Sequence, residues 1–143
     1  MKKIIILSIL VVNIFAQDIN GILDEYMAAW NNHNKAKIET FYAQNIEWYD
    51  LAYDYTTKGK TTVSKAITAA FLDNIENMYW VKSGDVFISE NTVTYEWVYG
   101  GSSDGKEFAI KGISTTTFDK GKIISQKDYY DMLSLQKALG TAN

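Results

Sequence analysis

Two carboxylates in this 143-residue chain stand where proton chemistry is possible. Asp131 ends the stretch KDYYD, a charged, tyrosine-rich run that stops just where an apolar helical pattern, Met132 to Leu139, begins. At such a junction the carboxylate is a helix cap, since Asp is a preferred N-cap residue, an ordinary surface charge, or an acid/base at the end of a pocket. Asp50 closes the series Ile46, Trp48, Asp50, which two-residue alternation puts on one face of a strand. If Trp48 faces a cavity, so does Asp50; otherwise Asp50 is a turn residue before the following loop. Two carboxylates sharing a pocket push their pKa values apart and could divide acid and base roles between them.

The aromatic residues are patterned as well. Tyr26 and Trp30 are four residues apart on a helical stretch and share a face, while Tyr95, Trp97 and Tyr99 alternate with Val93 along one strand face. Each stripe can serve as core or as pocket wall. The one histidine, His33, lies in the polar run NNHN and reads as a turn or capping residue. Lys111, between Ile110 and Gly112, reads as a solvated charge. One histidine and scattered carboxylates make no metal-ligand spacing. With no cysteine there is no thiol nucleophile, thiolate site or disulfide. All 14 positive charges are lysines, so no bidentate guanidinium clamp is available. No cofactor is called for.

The first residues, MKKIIILSILVVNIFAQD, combine a positive start at Lys2 and Lys3, an apolar run from Ile4 to Val12, and a small residue at Ala16. That layout predicts a secretory signal peptide over residues 1–16 and a secreted or periplasmic domain over residues 17–143. The apolar run is shorter than the roughly 20 residues of a membrane span. No membrane anchor is therefore expected after cleavage. Loss of the two lysines takes the formal charge from -3 to -5, a poor match for nucleic-acid phosphates. The chain is long enough for a single domain with a sizeable core.

Behind the signal, Asp18 to Trp30 repeats apolar residues at helical spacing. After Asn31–Asn34, the run KAKIETFYA predicts a second short helix with Ile38, Phe41 and Tyr42 on one side. IEWYDLAYDY reads as a strand and TTKGK as a turn. TTVSKAITAAFLDNI then reads as a third helix, capped by Thr61 or Thr62. From Asn77 onward the pattern becomes extended: NMYWVKSGDVFIS, NTVTYEWVYGG, KEFAIKGISTTTFD and GKIISQKDYYD. The turn signals among them are Ser83-Gly84-Asp85, Glu90-Asn91, Gly100 to Gly105 and Asp119-Lys120-Gly121. Helices first and hairpin-linked strands later imply an α+β fold, with helices covering one face of an antiparallel sheet.

Four segments carry a family resemblance over nearly the whole domain: AAWNNHN, IEWYD, KGKTTVSKAITAAF and FDKGKIISQKDYYDMLSLQKALG. Together they resemble the nuclear-transport-factor-2-like (NTF2-like) cone fold and, within it, the SnoaL-like polyketide cyclase and ester cyclase branch. The resemblance implies a curved sheet wrapped round a cavity for one small, mainly apolar or aromatic ligand. Its expected contacts are Tyr26, Trp30, Trp48, Trp97, Tyr99 and Tyr129. It also implies that Asp131 matches the general acid/base of the cyclases. A carboxylate on the rim of an apolar cavity is expected to have a raised pKa. Asn34 and Ala138 depart from the family pattern, and GISTTTFD offers Thr115, Thr116 and Thr117 where the cyclases carry a histidine. Epoxide hydrolases of this fold use an arginine that this chain lacks. The reading is thus a ligand-binding domain without assigned catalysis, with a cyclase or isomerase using Asp131 as the alternative. Cone folds of this kind often pair through the outer sheet face, here Thr92, Thr94, Glu96 and Val98, so a homodimer is expected.

Overall fold

A computed structural model describes residues 18–141; the predicted signal peptide lies outside the described residues. The first helix, α1 (Ile19–Asn31), starts at Asp18, whose side chain accepts from the Gly21 N–H at 2.9 Å. It buries Leu23, Tyr26, Met27 and Trp30. His33 occupies a left-handed turn, and Asn34 caps α2 (Lys35–Thr40) by accepting from the Lys37 N–H. This second helix is shorter than its apolar pattern suggests. Tyr42, expected on the helix, instead opens β1 (Tyr42–Asp50), where pairing with a later strand outweighs helix periodicity.

The segment expected to be a turn holds a short strand, β2 (Tyr55–Lys58), antiparallel to β1. Next comes α3 (Lys60–Thr68), capped by Gly59 rather than by Thr61 or Thr62. Gly59 has φ +86°, a conformation that lets the chain reverse out of β2 and that glycine adopts without strain. The third helix widens into a π-helical turn over Ala69–Asp73. Four long strands follow: β3 (Glu76–Ser89), β4 (Thr92–Ser103), β5 (Lys106–Asp119) and β6 (Lys122–Tyr130). The chain closes with α4 (Met132–Leu139).

The strands form one curved, open six-stranded sheet in the order β2-β1-β6-β5-β4-β3. All neighbours are antiparallel except β1 and β6, which run parallel. That pairing brings Trp48 beside Gln126 and Asp50 beside Asp128, although nearly 80 residues separate them in the chain. Ser83-Gly84-Asp85 is a bulge inside β3 and not a turn, because pairing with β4 shifts register between Lys82 and Val86. Asp104-Gly105 and Lys120-Gly121 both take positive φ values, the signature of two-residue hairpin loops.

The inner face of β4 carries Val93, Tyr95, Trp97 and Tyr99, all buried, and its outer face carries Thr92, Thr94, Glu96 and Val98. The inward face meets α1, the α2 residue Ile38, Val63 and Ile67 of α3, and inward residues of every long strand in one core. Among the described residues, no helix is long and apolar enough to cross a membrane.

Candidate functional site

The concave face of the sheet leaves a cavity of about 440 Å³ of atom-free space, counted with its open mouth. Every layer of the fold contributes to its wall: Trp30 from α1, Trp48 from β1, Phe71 from the π-helical turn and Trp80 from β3. The remaining strands add Trp97 and Tyr99 from β4, Ile110 from β5, and Asp128 and Tyr130 from β6. On the strands, two-residue alternation selects these side chains, since each is the inward member of its strand.

The rings meet at steep angles. Trp30 and Trp80 stand 5.9 Å apart at 82°, and Trp80 and Trp97 6.4 Å apart at 81°. Trp97 and Tyr130 follow at 6.2 Å and 49°. The first two contacts are edge-to-face, which suits the ring quadrupoles and sets the three tryptophan rings at near right angles, whereas Trp97 and Tyr130 are tilted.

Several of these walls are held by hydrogen bonds. The Asn31 side chain donates to the Trp80 carbonyl at 2.8 Å and accepts from the Trp80 N–H at 2.7 Å. It thereby ties the end of α1 to an edge strand. The Tyr99 hydroxyl donates to the Phe71 carbonyl at 2.7 Å, which fixes the π-helical turn over the cavity. At Gly112, an added Cβ would lie 2.2 Å from the Trp97 ring, so the indole occupies the space that glycine leaves.

Asp128 is the ionisable carboxylate of this wall, and it is buried. Its Oδ1 accepts from Ser114 Oγ at 2.6 Å and from Gln126 Nε2 at 2.7 Å. Ser114 in turn accepts from the Trp97 indole N–H at 2.7 Å, and Thr116 donates to Gln126 Oε1. Each polar group is therefore oriented by its neighbour, leaving the two donors aimed at one carboxylate oxygen. Among the described residues, Oδ2 receives no hydrogen bond of normal geometry.

Burial pushes the Asp128 carboxyl up to about 6, and the charge of Asp50 adds to that; the hydrogen bonds from Ser114 and Gln126 and the nearby Trp48 indole pull the other way. The buried indole N–H groups of Trp30 and Trp48 make no hydrogen bond of normal length. Each nonetheless stands near enough to an oxygen to favour its anionic form, Tyr26 for Trp30 and Asp128 for Trp48. Beside the cavity, Tyr130 donates to Asp50 Oδ2 at 2.9 Å, and its phenol is pushed up by burial and then by the Asp50 charge.

The residues singled out in the sequence fall into three groups. Trp30, Trp48, Trp97 and Tyr99 line the cavity. Asp50 lies at its edge, where it accepts from Tyr130 and caps the 3-10 turn Leu51–Tyr53 through the Ala52 N–H. Tyr26, Tyr129 and Asp131 lie elsewhere. Tyr26 is fully buried behind the wall and shares a 2.9 Å hydrogen bond with Tyr42.

Tyr129 points outward and is 37% exposed. Asp131 is the exposed N-cap of α4, accepting from the Leu133 and Ser134 N–H groups and from Ser134 Oγ. Those bonds hold its carboxyl below the ordinary value, the reverse of the raised pKa expected on a cavity rim. Asp128, Tyr130, Trp80, Phe71 and Ile110 are wall residues that the sequence reading passed over. Lys127 carried the usable signal on β6. If that charge is solvated, Tyr129 and Asp131 point out with it, while Gln126, Asp128 and Tyr130 point in.

Comparison with known proteins places the chain in a wider group. The model of the SnoaL-like domain matches residues 23–126. No curated protein matches the sequence at a significant level. Among solved structures, a hypothetical protein with a ketosteroid isomerase-like fold from Catenulispora acidiphila, in complex with trimethylamine, superposes with a TM-score of 0.71 at 29% identity. That match covers 83% of this chain and 92% of the other. A protein described as a SnoaL-like polyketide cyclase from Shewanella putrefaciens gives a TM-score of 0.76 at 14% identity, covering 85% and 96% of the two chains. An NTF2-like protein from Burkholderia thailandensis gives 0.73 at 20% identity, with the same coverage of 85% and 96%. Likeness at those two identities is one of fold. The family match spans most of the chain and includes the greater part of α1, all of α2 and α3 and most of the sheet, so this protein belongs to the SnoaL-like domain family.

Proposed function

We propose that the chain is an exported domain that binds one small, largely apolar molecule in the cone cavity, without assigned catalysis. The carrying observation is the wall itself: of its nine residues, eight are aromatic or aliphatic and one is a carboxylate. Such a composition suits a compact ligand that buries most of its surface and is oriented by a single polar group. The Catenulispora relative, with its bound trimethylamine, supports a ligand of this small size. Export rests on the N-terminal pattern of Lys2, Lys3 and the apolar run that follows.

A panel of small apolar and amphipathic compounds, read by tryptophan fluorescence and thermal shift, tests the binding reading. Saturable changes are expected for compact members, lost on filling the cavity with Ile110→Trp and retained in Asp131→Asn. Absence of any saturable change, or binding indifferent to Ile110→Trp, would remove it. Proton transfer is a second reading, and the geometry shifts its agent from Asp131 to Asp128. The motivation is a buried cavity carboxyl, pushed up to about 6 by burial, whose hydrogen bonds from Ser114 and Gln126 both fall on Oδ1.

Pairing of two copies through the outer sheet face belongs to the same proposal. Val81, Ile113 and Tyr129 stand out from that face, 44%, 43% and 37% exposed, with Ile113 directly opposite Tyr129.

A further inference from the structure

We propose, building on the cavity-binding reading, that the preferred occupant is a small alkylammonium cation, held against the faces of Trp30, Trp80, Trp97 and Tyr130 and neutralised by the Asp128 carboxylate. A neutral apolar ligand would need the aromatic surface but not the acid. Burying an ionisable carboxylate among apolar walls is unfavourable unless a charge partner compensates it. Asp128 has only neutral donors, namely Ser114 and Gln126 on Oδ1 with Trp48 nearby. The four ion pairs among the described residues, Lys35–Asp73, Lys37–Glu25, Lys58–Glu47 and Lys82–Asp24, all lie elsewhere. Among the described residues no lysine enters the wall, and the chain has no arginine, so a cation from outside the protein would supply the charge partner that the ionised acid lacks there.

The rings supply the second half of the argument. Aromatic faces carry negative potential and attract cations, most strongly in tryptophan and most effectively when the pair is shielded from water. Three tryptophans meeting at nearly right angles border one small volume, so rings of different orientation surround it. An anionic ligand is disfavoured by the same features, since the Asp128 and Asp50 charges repel it and no cation receives it. The two indole N–H groups without normal hydrogen bonds do not argue for an acceptor ligand, because they stand toward Tyr26 and Asp128. A cation bound beside Asp128 would favour its charged form, opposing the burial that raises its pKa.

The test compares choline with 3,3-dimethylbutan-1-ol, which has the same shape with carbon in place of the quaternary nitrogen. Binding to the purified protein is measured by calorimetry and tryptophan fluorescence at pH 7.5. Choline is expected to bind roughly tenfold or more tighter than the alcohol, and Asp128→Asn is expected to reduce that preference to within about twofold. The comparison on the unaltered protein stands even if Asp128→Asn misfolds. Equal or tighter binding of the alcohol would overturn the cation reading and leave the cavity-binding reading intact. If neither compound perturbs the wall tryptophans, while other compounds from the panel do, the cation reading again falls alone. If nothing binds, both readings fall together.

Discussion

Asp128 is held by three side chains that belong to no recognisable catalytic motif. Ser114 and Gln126 both donate to Oδ1, and Thr116 fixes which end of the Gln126 amide faces the acid. Burial still wins, raising the carboxyl from 3.8 to about 6. Because the folded state binds its proton more tightly than the unfolded chain, stability from this group is highest below pH 3.8. It is lost as pH rises to about 6.

The loss amounts to at most about 3 kcal/mol. Tyr42, Tyr95 and Tyr130 face the same region, but burial pushes their phenols up, and the neighbouring charge that raises Asp128 comes from Asp50. Urea unfolding of the protein and of Asp128→Asn at pH 4.5 and pH 7.5 checks this. The variant should gain stability relative to the parent as pH rises. A difference that is the same at both pH values would show that Asp128 is solvated.

At the scale of elements, the cavity depends on how α1 is fastened to β3. The third strand is a sheet edge, so its outer backbone groups are unpaired unless something covers them. Asn31 does so at Trp80, with its amide meeting both the N–H and the carbonyl as a neighbouring strand would. The same amide also donates to the Met27 carbonyl and so anchors itself to the last turn of its own helix. Removing it in Asn31→Ala should cost about 1–3 kcal/mol by leaving those backbone groups without partners. Amide exchange at Trp80 should quicken, and the environments of Trp30 and Trp80 should change together. Exchange at Trp80 indistinguishable from the parent would mean that the edge is closed by other contacts.

For the whole molecule, the two sheet faces have opposite characters. Val93, Tyr95, Trp97 and Tyr99 are spent on core and cavity, whereas the reverse of the same strands presents threonines with a few apolar side chains. Thr92 bonds Thr117 and Thr94 bonds Thr115 across β4 and β5, which stiffens that outer surface. If two copies pair there, a charge placed at its centre by Ile113→Asp should convert a dimer to a monomer in sedimentation while leaving ligand binding unchanged. A parent that sediments as a monomer at high concentration would sink the proposal directly.

Local pattern in the chain is sufficient for much of this architecture. Helical spacing marks α1 and α3, two-residue alternation marks β4 with its inward Tyr95, Trp97 and Tyr99, and Asp and Asn stand where caps are needed. The segments AAWNNHN and FDKGKIISQKDYYD carry the resemblance to the family whose match spans residues 23–126. What short-range pattern does not contain is the parallel pairing of β1 with β6, which alone sets Asp50 and Trp48 beside Asp128 and Gln126. The choice between Asp128 and Asp131 is likewise tertiary, although one alternation separates them. Asp131 has a helix start to cap and water around it, whereas Asp128 has a core in front of it and two donors from neighbouring positions in the sheet. Spacing can place a carboxylate on a strand, but only the packing of the other elements decides whether that carboxylate meets solvent or a dry aromatic wall, and its chemistry follows from that difference.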